Sequence, residues 1–120
     1  MQYMFLMYLD ENSLTEEQRA QCYSDSAAYA RELDAQGRHV TAQPLYPTTT
    51  ATSVRAREGK RVVMDGPFAE TREQLGGFFL IDAENLDEAI EIACNIPAGR
   101  WGTVEIRPVL QVPGLPRDQN

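Results

Sequence analysis

Three carboxylates, Asp65, Glu70 and Glu73, share one nine-residue stretch lying between two apolar runs. Carboxyl groups held close together can exchange protons, because the charge on one raises the pKa of its neighbour and leaves a base beside an acid. Asp65 is the candidate general base and Glu70 its partner. Arg55, near the end of an upstream β-rich run, is a candidate cation for an anionic or enolic group, where charge developing on an oxygen would need a fixed counter-charge. Phe68 and Phe78 are candidate walls of the same substrate cleft.

Every one of these residues also has a plainer role. Asp65 can cap amides of the Asp65-Gly66-Pro67-Phe68 turn, as Asp commonly does. Glu70 and Glu73 can cap the short Thr71-to-Leu75 segment or pair with Arg72, Glu73 being the more solvated of the two. Arg55 can simply pair with Asp65, and the two phenylalanines can be core or subunit contacts. Gly76 and Gly77 fit a tight turn or bulge. Loops mounted on strand ends are nonetheless where binding groups collect.

Composition narrows the chemistry. The 120 residues suit one domain with a real core. Eleven basic against eighteen acidic side chains give a net charge of −7, which opposes binding to phosphate backbones. Arg55, Arg57, Lys60 and Arg61 form the single basic cluster, a solvated hairpin end or a local anion site. Nucleic acid is not an expected partner. The longest apolar runs, Met4 to Leu9 and Phe78 to Ile81, fall far short of the ~20 residues that cross a bilayer. With no secretory pattern at Met1, the expected location is the cytoplasm. Cys22 and Cys94 read as buried free thiols. Two distant cysteines and the single histidine, His39, cannot make a zinc site of about four ligands. No phosphate loop or dinucleotide-binding glycine pattern is present, so no external cofactor is expected.

The elements that must position these groups can be read in order. Gln2 to Leu9 is a strand without alternation. Ser13-Leu14-Thr15-Glu16 has the form of a capping box, opening a helix with Cys22, Ser26, Tyr29, Ala30 and Leu33 on one stripe and Gly37 at its end. His39 to Leu45 is a strand. Thr49 to Arg57 and Lys60 to Met64 make a hairpin across Glu58-Gly59. Gly77 to Ile81 is the next strand. Asn85 caps a second helix whose stripe is Leu86, Ala89, Ile90 and Ala93, ended by Pro97. Thr103 to Leu110 is the last strand. The domain spans 1–112, with 113–120 a mobile tail.

That order specifies an α+β fold, an antiparallel sheet with two helices on one face. Tyr3 to Leu9 and Phe78 to Ile81 are apolar on both sides. At ~25 cal/mol per Å², leaving several Phe, Met and Tyr side chains wet costs on the order of 10 kcal/mol, comparable to a whole domain's stability. A homodimer with two sheets face to face is the economical solution. In the last strand Val104, Ile106 and Pro108 point one way, and Glu105, Arg107 and Val109 the other. Glu105 and Arg107 then enter the space between sheets, where charges must pair with each other or meet a small organic ligand.

Asp65-Gly66-Pro67-Phe68-Ala69-Glu70-Thr71-Arg72-Glu73-Gln74-Leu75-Gly76-Gly77-Phe78 closely resembles the signature of DGPF-domain proteins in the YCII-related superfamily. Tyr3-Met4-Phe5-Leu6-Met7, Thr50-Ala51-Thr52-Ser53-Val54-Arg55, Leu86-Asp87-Glu88-Ala89-Ile90 and Val104-Glu105-Ile106-Arg107-Pro108-Val109 are similar to other parts of that family. The resemblance implies a dimeric α+β barrel of ferredoxin-like protomers. It implies no settled reaction. Some members are similar to proteins encoded beside extracytoplasmic-function sigma factors, so a non-catalytic regulatory or ligand-sensing module is the alternative to cofactor-independent proton transfer. A His–Asp pair is thought to serve some members, but His39 stands at a strand start rather than on the first helix, which is a departure from that pattern.

Overall fold

The computed structural model describes residues 1–38 and 41–116. Its elements are β1 (Gln2–Leu9), α1 (Glu16–Ala35), β2 (Thr41–Pro44), β3 (Thr52–Arg57), β4 (Lys60–Asp65), β5 (Gln74–Asp82), α2 (Leu86–Ala93) and β6 (Gly102–Pro108). Short 3₁₀ turns occupy Thr48–Thr50 and Pro97–Arg100. Four strands form one sheet in the order β2-β5-β1-β6, with every neighbouring pair antiparallel. With the hairpin set aside, this is the split βαβ arrangement of ferredoxin-like folds. His39 lies outside the described residues, as do 117–120; the described part of the tail, 113–116, is exposed.

Alternation decides what each strand buries. Tyr3, Phe5 and Met7 of β1 and Phe79 and Ile81 of β5 turn toward the helices, where they meet Cys22 and Leu33 of α1 and Ala89 and Ile92 of α2 in one core. Phe5 and Phe79, opposite each other across the ladder, are 0% and 1% exposed. The strands pack so tightly that a Cβ on Gly77 would sit 2.7 Å from the Gln43 carbonyl of β2. Close backbone approach, more than turn formation, is why glycine stands there.

Several local expectations are corrected. The capping box is built by Thr15 with Gln18, whose side chain and backbone exchange hydrogen bonds of 2.9 and 3.1 Å. Ser13 is unavailable for that role, because its hydroxyl donates to the Asp10 carbonyl in the preceding turn. In α2 the core takes Ala89 and Ile92, while Leu86 and Ile90 remain exposed, so the helix is rotated from its expected phase. That rotation also leaves Cys94 exposed; only Cys22 is a buried thiol. Finally, β5 begins at Gln74, so Thr71 to Leu75 is not a separate capped segment, and Pro97 starts a 3₁₀ turn after α2 has ended. The end of α1 is as expected, with Gly37 donating to Asp34 and Arg38 to Leu33 in a Schellman closure.

β3 and β4 pair only with each other, in register from Thr52↔Asp65 to Arg57↔Lys60. Glu58 (φ 51°) and Gly59 (φ 75°) are both left-handed, the two-residue turn that matches strand twist. The hairpin is an arm. It is joined at its root by Glu11, whose carboxylate accepts from the Thr48 amide and hydroxyl at 2.8 and 2.7 Å. The radius of gyration, 16.1 Å, exceeds the roughly 13–14 Å of a compact chain this long.

Candidate functional site

Because odd positions of β1 face the helices, its even positions Met4, Leu6 and Tyr8 face away. Register places Phe78 and Leu80 of β5 on one side of them and Thr103, Glu105 and Arg107 of β6 on the other. This open face is therefore apolar in the middle and polar along β6. Arg107 Nη1 lies 3.7 Å from Glu105 Oε2. Burial raises the Tyr8 phenol above its ordinary value of 10.0, and the adjacent Glu105 carboxylate raises it further, with Arg107 opposing. Tyr8 stays protonated at neutral pH and can donate a hydrogen bond. Below it, the Thr103 hydroxyl donates to Glu73 Oε1 at 3.0 Å.

Glu105, Arg107 and Phe78 thus come together on one face, as their alternation demands. Tyr8 joins them, a residue that the uniformly apolar look of β1 conceals in the sequence; its signal is its diagonal relation to Glu105 in the antiparallel register. Glu73 has a defined partner in Thr103.

Asp65, Glu70, Arg55 and Phe68 are elsewhere. Arg55 and Asp65 lie on the arm, paired with Val62 and Thr52 respectively, which puts them on opposite faces of the ribbon. Among the described residues no ion pair joins them. Phe68 and Glu70 sit in the exposed loop between β4 and β5, Phe68 being 79% exposed. Within one protomer these four do not share the open face.

A second concavity lies on the helix side, between α1 and the edge formed by β2 and β5. It encloses about 380 Å³ and is lined mainly by apolar atoms, among them Leu9, Ala27, Ala30 and Ala42, with Arg31 and Gln43 also in its wall. Cys22 is in this lining; burial pushes its thiol pKa up, partly offset by a hydrogen bond with Ser26. Such a thiol is a weak nucleophile. No cluster of three metal-ligating side chains occurs among the described residues, and no described helix is long and apolar enough to cross a membrane.

Comparison with known proteins agrees with this architecture. A solved structure with the same fold is the 5-chloro-2-hydroxyhydroquinone dehydrochlorinase TftG of Burkholderia phenoliruptrix in complex with 2,5-dihydroxybenzoquinone. The match has a TM-score of 0.55 and 19% identity, covering 93% of this chain and 96% of that one. An uncharacterised protein of Rhizobium meliloti is 39% identical over 120 residues, spanning 95% of this chain and 97% of the relative. The YCII-related domain matches residues 1–113. With that match running through the whole sheet and both helices, the chain belongs to the YCII-related family.

Proposed function

We propose that the protein is a homodimer with its two open sheet faces opposed, and that it binds a small, flat organic molecule bearing ionisable oxygens beside Tyr8, Glu105 and Arg107. One observation carries this reading: an ionisable row runs along an otherwise apolar sheet face. Covering that face with a partner removes water from Glu105 and Arg107, and a desolvated pair is costly unless further hydrogen bonds satisfy it. A ligand oxygen supplies those bonds.

The chemistry that follows is proton transfer without an external cofactor. The Glu105 carboxylate would take a proton from a carbon or hydroxyl of the ligand. The electron pair left behind would settle on a ligand oxygen, held by the Arg107 guanidinium and the Tyr8 hydroxyl. Asp65, Glu70 and Arg55 would add to this site only if a second chain brought them. The ligand of TftG, 2,5-dihydroxybenzoquinone, is a flat ring with ionisable oxygens, the kind of molecule such a row suits and a ready probe.

Calorimetry with that quinone tests the reading. The wild type is expected to bind it, and Arg107→Ala to bind it about tenfold or more weakly, since a charge-assisted bond to a carboxylate-like oxygen is lost. No binding, together with a monomer in sedimentation at tens of micromolar, would overturn the proposal. Binding retained in Glu105→Gln without turnover in any variant would favour the ligand-sensing role over catalysis. The helix-side cavity supports one competing placement, since about 380 Å³ is within the range of small-molecule pockets. Ala27→Trp fills that cavity and leaves the open face untouched. Loss of binding in this variant alone would move the ligand there.

A further inference from the structure

The arm formed by β3 and β4 is exposed at every position of β4 and at every position of β3 except Ser53. Val54 and Val63, a cross-strand pair, are 62% and 55% exposed, and Val62 and Met64 on the opposite face are exposed as well. Among the described residues no hydrogen bond or ion pair links 54–64 to anything outside the hairpin. An isolated two-stranded ribbon is at best marginally stable in water, and it needs a further surface against its apolar side chains.

Charge indicates which surface that is. Residues 52–65 hold four basic side chains (Arg55, Arg57, Lys60 and Arg61) against two acidic ones, Glu58 and Asp65, leaving seven basic and sixteen acidic in the rest of the chain. The arm is a positive element on a strongly negative body, and none of its basic groups is ion-paired among the described residues. A second copy of this chain offers the complementary surface. Six residues per strand give the ribbon a reach of roughly 20 Å, enough to cross a subunit boundary.

We infer that the β3–β4 arm docks on the body of the partner protomer, with Val54 and Val63 against its surface and the basic tip among its acidic groups. This rests on the dimer proposed above and deepens it. Asp65 and Arg55, remote from the open face of their own chain, then become part of the partner's surroundings, so the binding region is composite and a single protomer lacks part of it.

The test uses the full chain. In Val54→Asp/Val63→Asp, two charges are forced into the docked surface, and dimer dissociation measured by sedimentation is expected to strengthen by on the order of a hundredfold. Circular dichroism should be unchanged, because the arm makes no core contact in its own body. Independently, a photo-crosslinking phenylalanine analogue replacing Val54 is introduced into a mixture of ¹⁴N- and ¹⁵N-labelled protein. Crosslinked peptides of mixed isotope are expected. A wild-type dimer that persists in the double variant, with crosslinks only within one chain, would overturn the arm inference and leave the face-to-face dimer standing. A monomeric wild type at tens of micromolar would overturn both.

Discussion

β5 and β4 are both rich in strand-forming residues, yet one buries Gly77, Phe79 and Ile81 and the other is exposed at every position. The difference is not intrinsic propensity. β5 lies between β1 and β2 with helices over one side, so Phe79 and Ile81 lose their water while Phe78 and Leu80 keep some. Among the described residues β4 has one strand neighbour, β3, and is exposed along its whole length. Apparent β-propensity mostly reports packing against neighbours, and these two strands show it within a single chain.

Substitutions can press on that contrast. Phe79→Ala empties a fully buried site and is expected to lower unfolding free energy by about 3–5 kcal/mol in urea titration. Gly77→Ala puts a methyl against the Gln43 carbonyl and is expected to cost roughly 1–3 kcal/mol, as overpacking does; a neutral result would show that β2 can drift from β5. Glu11→Ala cuts both bonds to Thr48 and is expected to cost about 1–2 kcal/mol. That loss is read in the same urea titration. Val63→Ala on the arm is expected to change the protomer's own stability by less than about 0.5 kcal/mol. A large loss there in a monomeric background would erase the distinction between the two regions.

The open face lies between these extremes, and its titration sharpens the picture. Tyr8 is expected to ionise above 10.0 in an absorbance titration, because burial and then Glu105 disfavour the phenolate. Glu105→Gln should bring that step down and Arg107→Ala should raise it. Since the folded state holds this proton more tightly than the unfolded chain, the Tyr8 contribution to stability is complete below the ordinary phenol range and declines as pH rises through it.

Much of this arrangement was legible in residue order. The unalternating apolar runs of β1 and β5 marked the sheet centre, Glu58-Gly59 marked the hairpin, and Gly37 and Asn85 marked helix boundaries. The helix cap was ambiguous because Ser13-x-x-Glu16 and Thr15-x-x-Gln18 both match a capping box, and only the turn at Asp10 removes Ser13 from contention. The phase of α2 was hidden because Leu86, Ile90 and Ile92 are all apolar, and what selects Ile92 is contact with other elements. The carboxylate cluster was the least legible part. Asp65 and Glu70 are close along the chain, but sequence spacing does not reveal that the hairpin leaves the sheet and takes Asp65 with it.

The tight turn at Glu58-Gly59 has one more consequence. It folds the ribbon so that its two long margins both present bare amide and carbonyl groups, a template onto which further ribbons can add without limit. Arg57, Lys60 and Arg61 around the tip make such stacking self-repelling, the gatekeeper arrangement that guards strand margins against fibre growth. Salt shortens the reach of that repulsion from ~10 Å at 0.1 M to ~3 Å at 1 M. Concentrated brine is therefore the storage condition in which this protein should be most inclined to form filaments.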